Sequence, residues 1–179
     1  LGGEVLIGGA KPAGSLHGRA REGLGFVTEE RSIFKSLSTA ENLRVGRCDV
    51  AYALSLFPEL EPLMNRKAGL LSGGEQQILT LARVLARRPK VLLVDELSLG
   101  LAPLIVNRLL QAVRDAADRE GIGVVLVEQH IRKALAIADE VIVMRRGQTV
   151  LRGKGSDLIG RVADIEASYM ATTTEAEAA

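Results

Sequence analysis

Two short runs constrain this chain more than anything else in it. Leu71-Ser72-Gly73-Gly74-Glu75-Gln76-Gln77 is a glycine-containing turn placed to open a helix. Val91-Leu92-Leu93-Val94-Asp95-Glu96 is an apolar run that ends in two carboxylates. In the first, Ser72 suits a helix N-cap, and Glu75 stands three residues later, where a capping box needs an acid. Gly73 and Gly74 let backbone N–H groups approach a ligand, and a helix N-terminus favours a phosphate. Ile78, Leu81, Ala82 and Leu85 follow at helical spacing, and Arg87-Arg88-Pro89 ends the helix. An ordinary capped helix carries the same pattern.

The second run reads as a strand buried on both faces of a parallel sheet. Ligands of open α/β sheets bind beyond the carboxyl ends of the strands, and Asp95 and Glu96 fall at that end. One carboxylate there holds Mg²⁺, and the next orients an attacking water. A strand running into a solvated acidic turn is the blander reading of the second run alone. The order and spacing of the two runs together favour a nucleotide-handling ATPase.

The rest of the chain reads as alternating strands and helices. Strands are expected over Glu4–Ile7, Leu24–Thr28, Val91–Val94 and Val124–Val127. Gly8 to Gly14 reads as a turn-rich loop. Thr39-Ala40-Glu41-Asn42-Leu43 reads as a capped helix start. From Val50 to Arg66, helix alternates with breaks at Pro58 and Pro62. A helix is expected over Ala102–Ala117, with Leu109, Val113 and Ala116 on one face, and a short one over Ile131–Ala138. Val141–Met144 and Thr149–Leu151 read as a hairpin closed around Arg146-Gly147. The Thr/Glu/Ala-rich end, Ala171 to Ala179, has no apolar period and is expected to be disordered.

The Leu71–Gln77 run resembles the signature motif of the ABC ATPases, and Val91–Glu96 resembles their Walker B motif. Ser98-Leu99-Gly100-Leu101-Ala102-Pro103 is similar to the D-loop of the branched-chain amino-acid importer ATPases. Val127-Glu128-Gln129-His130 resembles the switch region, and Phe26 to Phe34 the Q-loop segment, with Glu29 where most members carry Gln. The resemblance covers about residues 1–160. It implies an α/β fold: a partial ABC-type core, a mostly parallel sheet with flanking helices, plus a small helical subdomain, about residues 38–75, that carries the signature. Residues 161–179 form a tail beyond the domain.

The resemblance also implies roles and partners. Two such subunits would dimerise head to tail around two ATP molecules. Ser72, Gly73, Gly74 and Glu75 would form the turn that faces the partner's nucleotide. Asp95 would hold Mg²⁺, and Glu96 would be the general base. His130 would contact the γ-phosphate. Glu29 would sense Mg²⁺ and the water, and Ser98 and Gly100 would cross the dimer interface. Transmembrane permease subunits would take up the stroke, with a solute-binding protein acting through them. That places the chain in the cytoplasm on the inner face of the membrane, powering import of branched-chain amino acids or a related solute. A non-transport ABC ATPase of DNA repair or translation, or a remnant without activity, is the alternative.

One departure from the family pattern stands out. The Walker A loop, Gly-x-x-x-x-Gly-Lys-Ser/Thr, is absent. Gly9 to Leu16 mimics it, but Ser15 and Leu16 stand where Lys and Ser/Thr belong. The chain begins with Leu1, and the expectation is an N-terminally incomplete subunit that neither holds ATP tightly nor hydrolyses it alone. Leu97 also replaces the Pro usual after the Walker B Glu.

Composition agrees. At 179 residues and 47% hydrophobic, the chain has one domain's length and enough apolar mass for a core. A net charge of +1 makes no electrostatic case for nucleic acid. Cys48 is alone, so no internal disulfide forms.

Overall fold

A computed structural model describes residues 4–12, 14–163 and 165. The described chain gathers into two compact units, Leu1–Val127 and Glu128–Ala179. The end of the chain from Ala171, expected to be disordered, lies outside the described residues.

The first unit is built on three parallel strands. They are β1 (Leu24–Val27), β2 (Val91–Asp95) and β3 (Gly123–Val127), in the spatial order β1-β2-β3. The register sets Gly25 beside Leu92 and Leu92 beside Val124. One step on, Val27, Val94 and Leu126 line up. Alternation sends this row to the inner face, where Val27, Leu92 and Val94 are buried. Helix α4 (Gly73–Leu85) packs against β1, and α5 (Pro103–Glu120) against β3. Gly25 admits the helix closely: a Cβ there would stand 2.7 Å from Val84 Cγ1.

The outer row is different. Phe26 is 40% exposed, Val125 56% and Val127 55%. The expectation that β2 is buried on both faces therefore fails. Its inner residues are sealed, while Val91, Leu93 and Asp95 are part-buried. The apolar run records what both faces of the strand would accept, not what covers them here.

A second correction concerns Glu4–Ile7. The structure has no strand there; Ile7 and Ala10 form an isolated bridge with N···O distances of 2.9 and 3.2 Å. Val5 and Leu6 are exposed. An apolar run becomes a strand only when a neighbour supplies its ladder. Downstream, Ser15 caps the short helix α1 (Leu16–Arg21), accepting from Gly18 N at 3.1 Å.

Between β1 and β2 lie α2 (Thr39–Val45), α3 (Val50–Leu56), 3-10 turns at Pro58–Leu63 and Ala68–Leu70, and α4. Each start has a chemical cause. Ser38 and Glu41 form a capping box ahead of α2, and Asp49 Oδ1 accepts from Tyr52 N at 3.0 Å ahead of α3. Pro58 opens the tighter turn, as the sequence pattern requires. Leu43, Phe57 and Leu60 are sealed in the core, as are Leu79 and Leu81 of α4. Arg108 of α5 donates to Leu56 O and to Glu59 Oε1, and lies 4.7 Å from the Phe57 ring centre.

Tyr52 closes the outer end of α3. Its hydroxyl donates to Glu120 at the end of α5, and Arg88 lies 4.5 Å from its ring centre. Burial, then the Glu120 bond, push the Tyr52 phenol up to about 12. The native state thus holds its proton after the unfolded chain, with a phenol near 10, has lost it. That contribution is intact below pH ~10 and is lost as pH rises through about 12. In urea melts across this window, wild-type stability should fall, and Tyr52→Phe should flatten part of the fall. Identical slopes would remove Tyr52 as the cause.

The second unit contains the expected hairpin, β4 (Glu140–Arg145) and β5 (Gln148–Lys154), turning at Arg146-Gly147. Helices α6 (Ile131–Ile137) and α7 (Gly155–Leu158) belong with it. Leu135, Val143, Leu158, Val162 and Ile165 form its core.

Candidate functional site

The site grows from the N-terminus of α4. Ser72 N donates to Glu75 Oε2 at 2.6 Å, and Glu75 N donates to Ser72 Oγ at 3.3 Å. This is the capping box read from the sequence. The first intrahelical bond runs from Gln76 N to Ser72 O at 2.9 Å, so the amides of Gly73 and Gly74 point ahead of the helix ladder. Leu71 is buried behind the turn, while Ser72 is exposed. The turn therefore presents donors and positive dipole outward, from a fixed base.

Against it lies the loop 28–35, which the sequence reading valued for Glu29. Glu29 stands exposed in a turn with Glu30. Arg31 adopts a left-handed backbone, φ 44°, and its guanidinium occupies the space over Gly73. A Cβ on Gly73 would meet Arg31 Nη1 at 3.0 Å, so a larger residue there would push the guanidinium aside. Thr28 and Ser32 share a hydroxyl hydrogen bond of 2.8 Å.

The loop is anchored from below by Asn42, which sequence reading took merely as part of a helix start. Asn42 is 0% exposed. Its Oδ1 accepts from Phe34 N at 2.8 Å, and its Nδ2 donates to Phe34 O at 3.0 Å, Ser38 O at 3.0 Å and Leu37 O at 3.4 Å. Arg83 was missed as well. Its signal was a charged residue amid the apolar positions of α4, between Ala82 and Leu85.

The carboxylates stand where expected. Asp95 is the last residue of β2, and Glu96 begins the turn beyond it. Glu96 N donates to Val127 O at 3.0 Å, which locks this corner to β3. Glu96 is left-handed, φ 48°, a conformation that costs a non-glycine residue about 1 kcal/mol or more. Leu97 is buried and anchors the turn, Leu99 N donates to Glu96 O, and Leu101 N donates to Ser98 O. Ser98 is buried; Gly100 is exposed with φ 67°. Glu96 thus sits on a strained backbone at the ends of two strands.

Glu29, Ser72 to Glu75, Asp95, Glu96, Ser98 and Gly100 all belong to the first unit. His130 belongs to the second, exposed at the N-cap of α6, with its carbonyl accepting from Lys133 N and Ala134 N. Among the described residues no group of three or more His, Cys, Asp or Glu gathers as a metal cage, and no helix is long and apolar enough to cross a membrane. Asp95 with Glu96 suits a divalent ion that brings its own phosphate and water ligands rather than one held wholly by protein.

These geometries have close relatives. The ABC transporter family model matches residues 2–98. The chain is 37% identical over 166 residues to the high-affinity branched-chain amino acid transport ATP-binding protein BraG of Pseudomonas aeruginosa, covering 88% of this chain and 69% of that one. It is 32% identical to the probable branched-chain amino acid transport ATP-binding protein LivF of Archaeoglobus fulgidus, covering 88% and 71%. The lipopolysaccharide export system ATP-binding protein LptB of Escherichia coli is 31% identical, over 80% and 64%. Among solved structures, cbiO1 from Clostridium perfringens, part of the complex cbiONQ, superposes with a TM-score of 0.76 at 23% identity, over 97% and 76% of the two chains. A dimeric ATP-binding cassette bound to ADP and Pi superposes at 0.71 and 22%, over 83% and 71%.

Proposed function

The chain belongs to the ABC transporter family, as an ATPase subunit of a transporter, and on that premise we propose that it drives import of branched-chain amino acids or a closely related solute. The solute class rests on the BraG and LivF likeness; the LptB likeness marks export as the second reading. The observation that carries the nucleotide role is the Ser72 turn: a capped helix start with two glycine amides ahead of its ladder.

ATP supplies the phosphoryl group and Mg²⁺ neutralises its charge. The described residues fit one half of that task. The amides of Gly73 and Gly74 and the dipole of α4 receive a γ-phosphate presented by a second subunit. Asp95 would hold Mg²⁺, Glu96 would take the proton of the attacking water, Glu29 would sense the ion and that water, and His130 would contact the γ-phosphate. Ser98 and Gly100 meet the second subunit. The other half, a phosphate cradle with its own lysine, is not formed by Gly9–Leu16, where Ser15 caps a short helix instead. The 179 residues alone therefore hold ATP weakly. Residues 1–160 act as the ATPase domain, with the helical part at about 38–75 and a tail at 161–179. Permease subunits hold the domain at the inner face of the membrane, with a solute-binding protein acting beyond them.

The test uses a chimera with the N-terminal segment of BraG ahead of Leu1. With Mg-ATP, Ser72→Arg should weaken dimer formation at least about tenfold and leave ATP binding by one subunit within a few-fold. Equal loss of both would show that the turn serves its own subunit. Leucine uptake in Pseudomonas aeruginosa lacking BraG, restored by the chimera, tests the solute class; no uptake would favour the export reading.

A further inference from the structure

Loop 28–35 is joined to α4 at both ends of the helix. At the N-terminal end, the Arg31 guanidinium sits over Gly73. Ten residues along, ~15 Å by helix rise, Arg83 reaches back to the same loop. Its Nη1 donates to Ser32 O at 2.6 Å, and its guanidinium carbon lies 5.5 Å from the Phe34 ring centre. A third tie runs from Gly69 N to Lys35 O at 2.9 Å, just ahead of the Ser72 turn. The loop is thus fastened before, on and beyond the turn.

Arg83 bears a cost for this position. Its Nε is sealed from solvent with no acceptor, and burial lowers the guanidinium's pKa from its ordinary value. A donor left unpaired in a closed site costs stability, so the arginine's other contacts must account for its presence. Arginine suits it because a planar fork donates to a carbonyl and lies along a ring at once, which a lysine ammonium does not do.

We propose that Arg83 is a positioning residue that fixes loop 28–35 on α4, so that Glu29 and the Ser72–Gly74 turn keep one relative placement and loosen together. This rests on the function proposed above, in which both elements face nucleotide. It adds that the loop cannot move without moving the turn.

Hydrogen exchange followed by NMR in the 179-residue chain tests it. The amides of Ile33, Phe34 and Gly69 report the loop; those of Glu75 and Gln76 report the turn; those of β2 are controls. Arg83→Met should speed exchange about tenfold in loop and turn together, with the controls unchanged. Arg83→Lys should not restore protection. Phe34→Leu, which removes the ring and spares the arginine, should loosen both segments by a smaller factor. Faster exchange in the loop alone, or wild-type protection in Arg83→Lys, overturns the proposal. Should Arg83→Met speed the controls too, Phe34→Leu decides: joint loosening of loop and turn supports it, and any other pattern overturns it. No nucleotide enters the experiment, so its failure leaves the ATPase reading standing, and loss of that reading shows separately in ATP-driven dimerisation.

Discussion

Glu96→Gln in the chimera is expected to lower ATP turnover by about 10²–10⁴-fold, the range that a positioned general base contributes. Glutamine keeps the size of the side chain and the bond from residue 96 N to Val127 O, because that bond is backbone. It keeps the left-handed turn, since the strain at φ 48° lies in the backbone and is the same for both residues. What it removes is the ability to accept a proton. Binding of ATP should therefore persist, and ATP-bound dimers should accumulate because the step that releases them is blocked. Phosphate release and size-exclusion chromatography with Mg-ATP read the two effects separately. Turnover at the wild-type rate would remove Glu96 from the chemistry. Loss of ATP binding together with turnover would assign it to holding Mg²⁺ instead.

Asn42→Leu should cost the first unit stability out of proportion to the size of the change. Leucine repeats the branched skeleton of asparagine but is bulkier and offers no polar atom. Four bonds end at the asparagine amide, and all four partners are backbone groups in or beside loop 28–35. When the amide goes, Phe34 N loses its acceptor, while Phe34 O keeps Leu37 N at 3.1 Å, Leu37 O keeps Ala68 N at 2.8 Å and Ser38 O keeps Asn42 N at 2.9 Å. A buried group left unpaired costs about 1–3 kcal/mol. The expected loss is ~2 kcal/mol, read as a lower urea midpoint with unchanged slope. Asn42→Asp keeps the acceptor for Phe34 N but sets a carboxylate oxygen against the three carbonyls that Nδ2 served, and should cost at least as much. A loss below ~1 kcal/mol for leucine would mean that loop 28–35 opens to water and pairs its own groups.

Much of this was legible in the order of residues. The Ser72–Glu75 cap, the capped helix start at Thr39–Leu43 (its cap residue is Ser38), the break at Pro58 and the hairpin at Arg146-Gly147 are local devices, each satisfied by atoms a few residues apart. Local chemistry leaves its mark in local sequence. The same holds for Asp95 and Glu96, whose place at a strand end follows from the apolar run before them.

The remainder depended on distant groups meeting. Glu4–Ile7 has the composition of a strand and forms none, because a ladder needs a neighbour that spacing along the chain does not reveal. β2 looks sealed on both sides in sequence and is sealed on one, because coverage is decided by where α4 and α5 pack. Asn42, Arg31 and Arg83 carry no motif. Their importance comes from partners at Phe34, Gly73 and Ser32, brought within contact by the folding of α2, the loop and α4 together. Sequence alone determined the family, most of the element types and the chemistry-bearing turn, because motif and cap are short-range. Tertiary structure alone decided which residues hold that turn in place, because a buried amide or guanidinium gains its role from the groups that close around it.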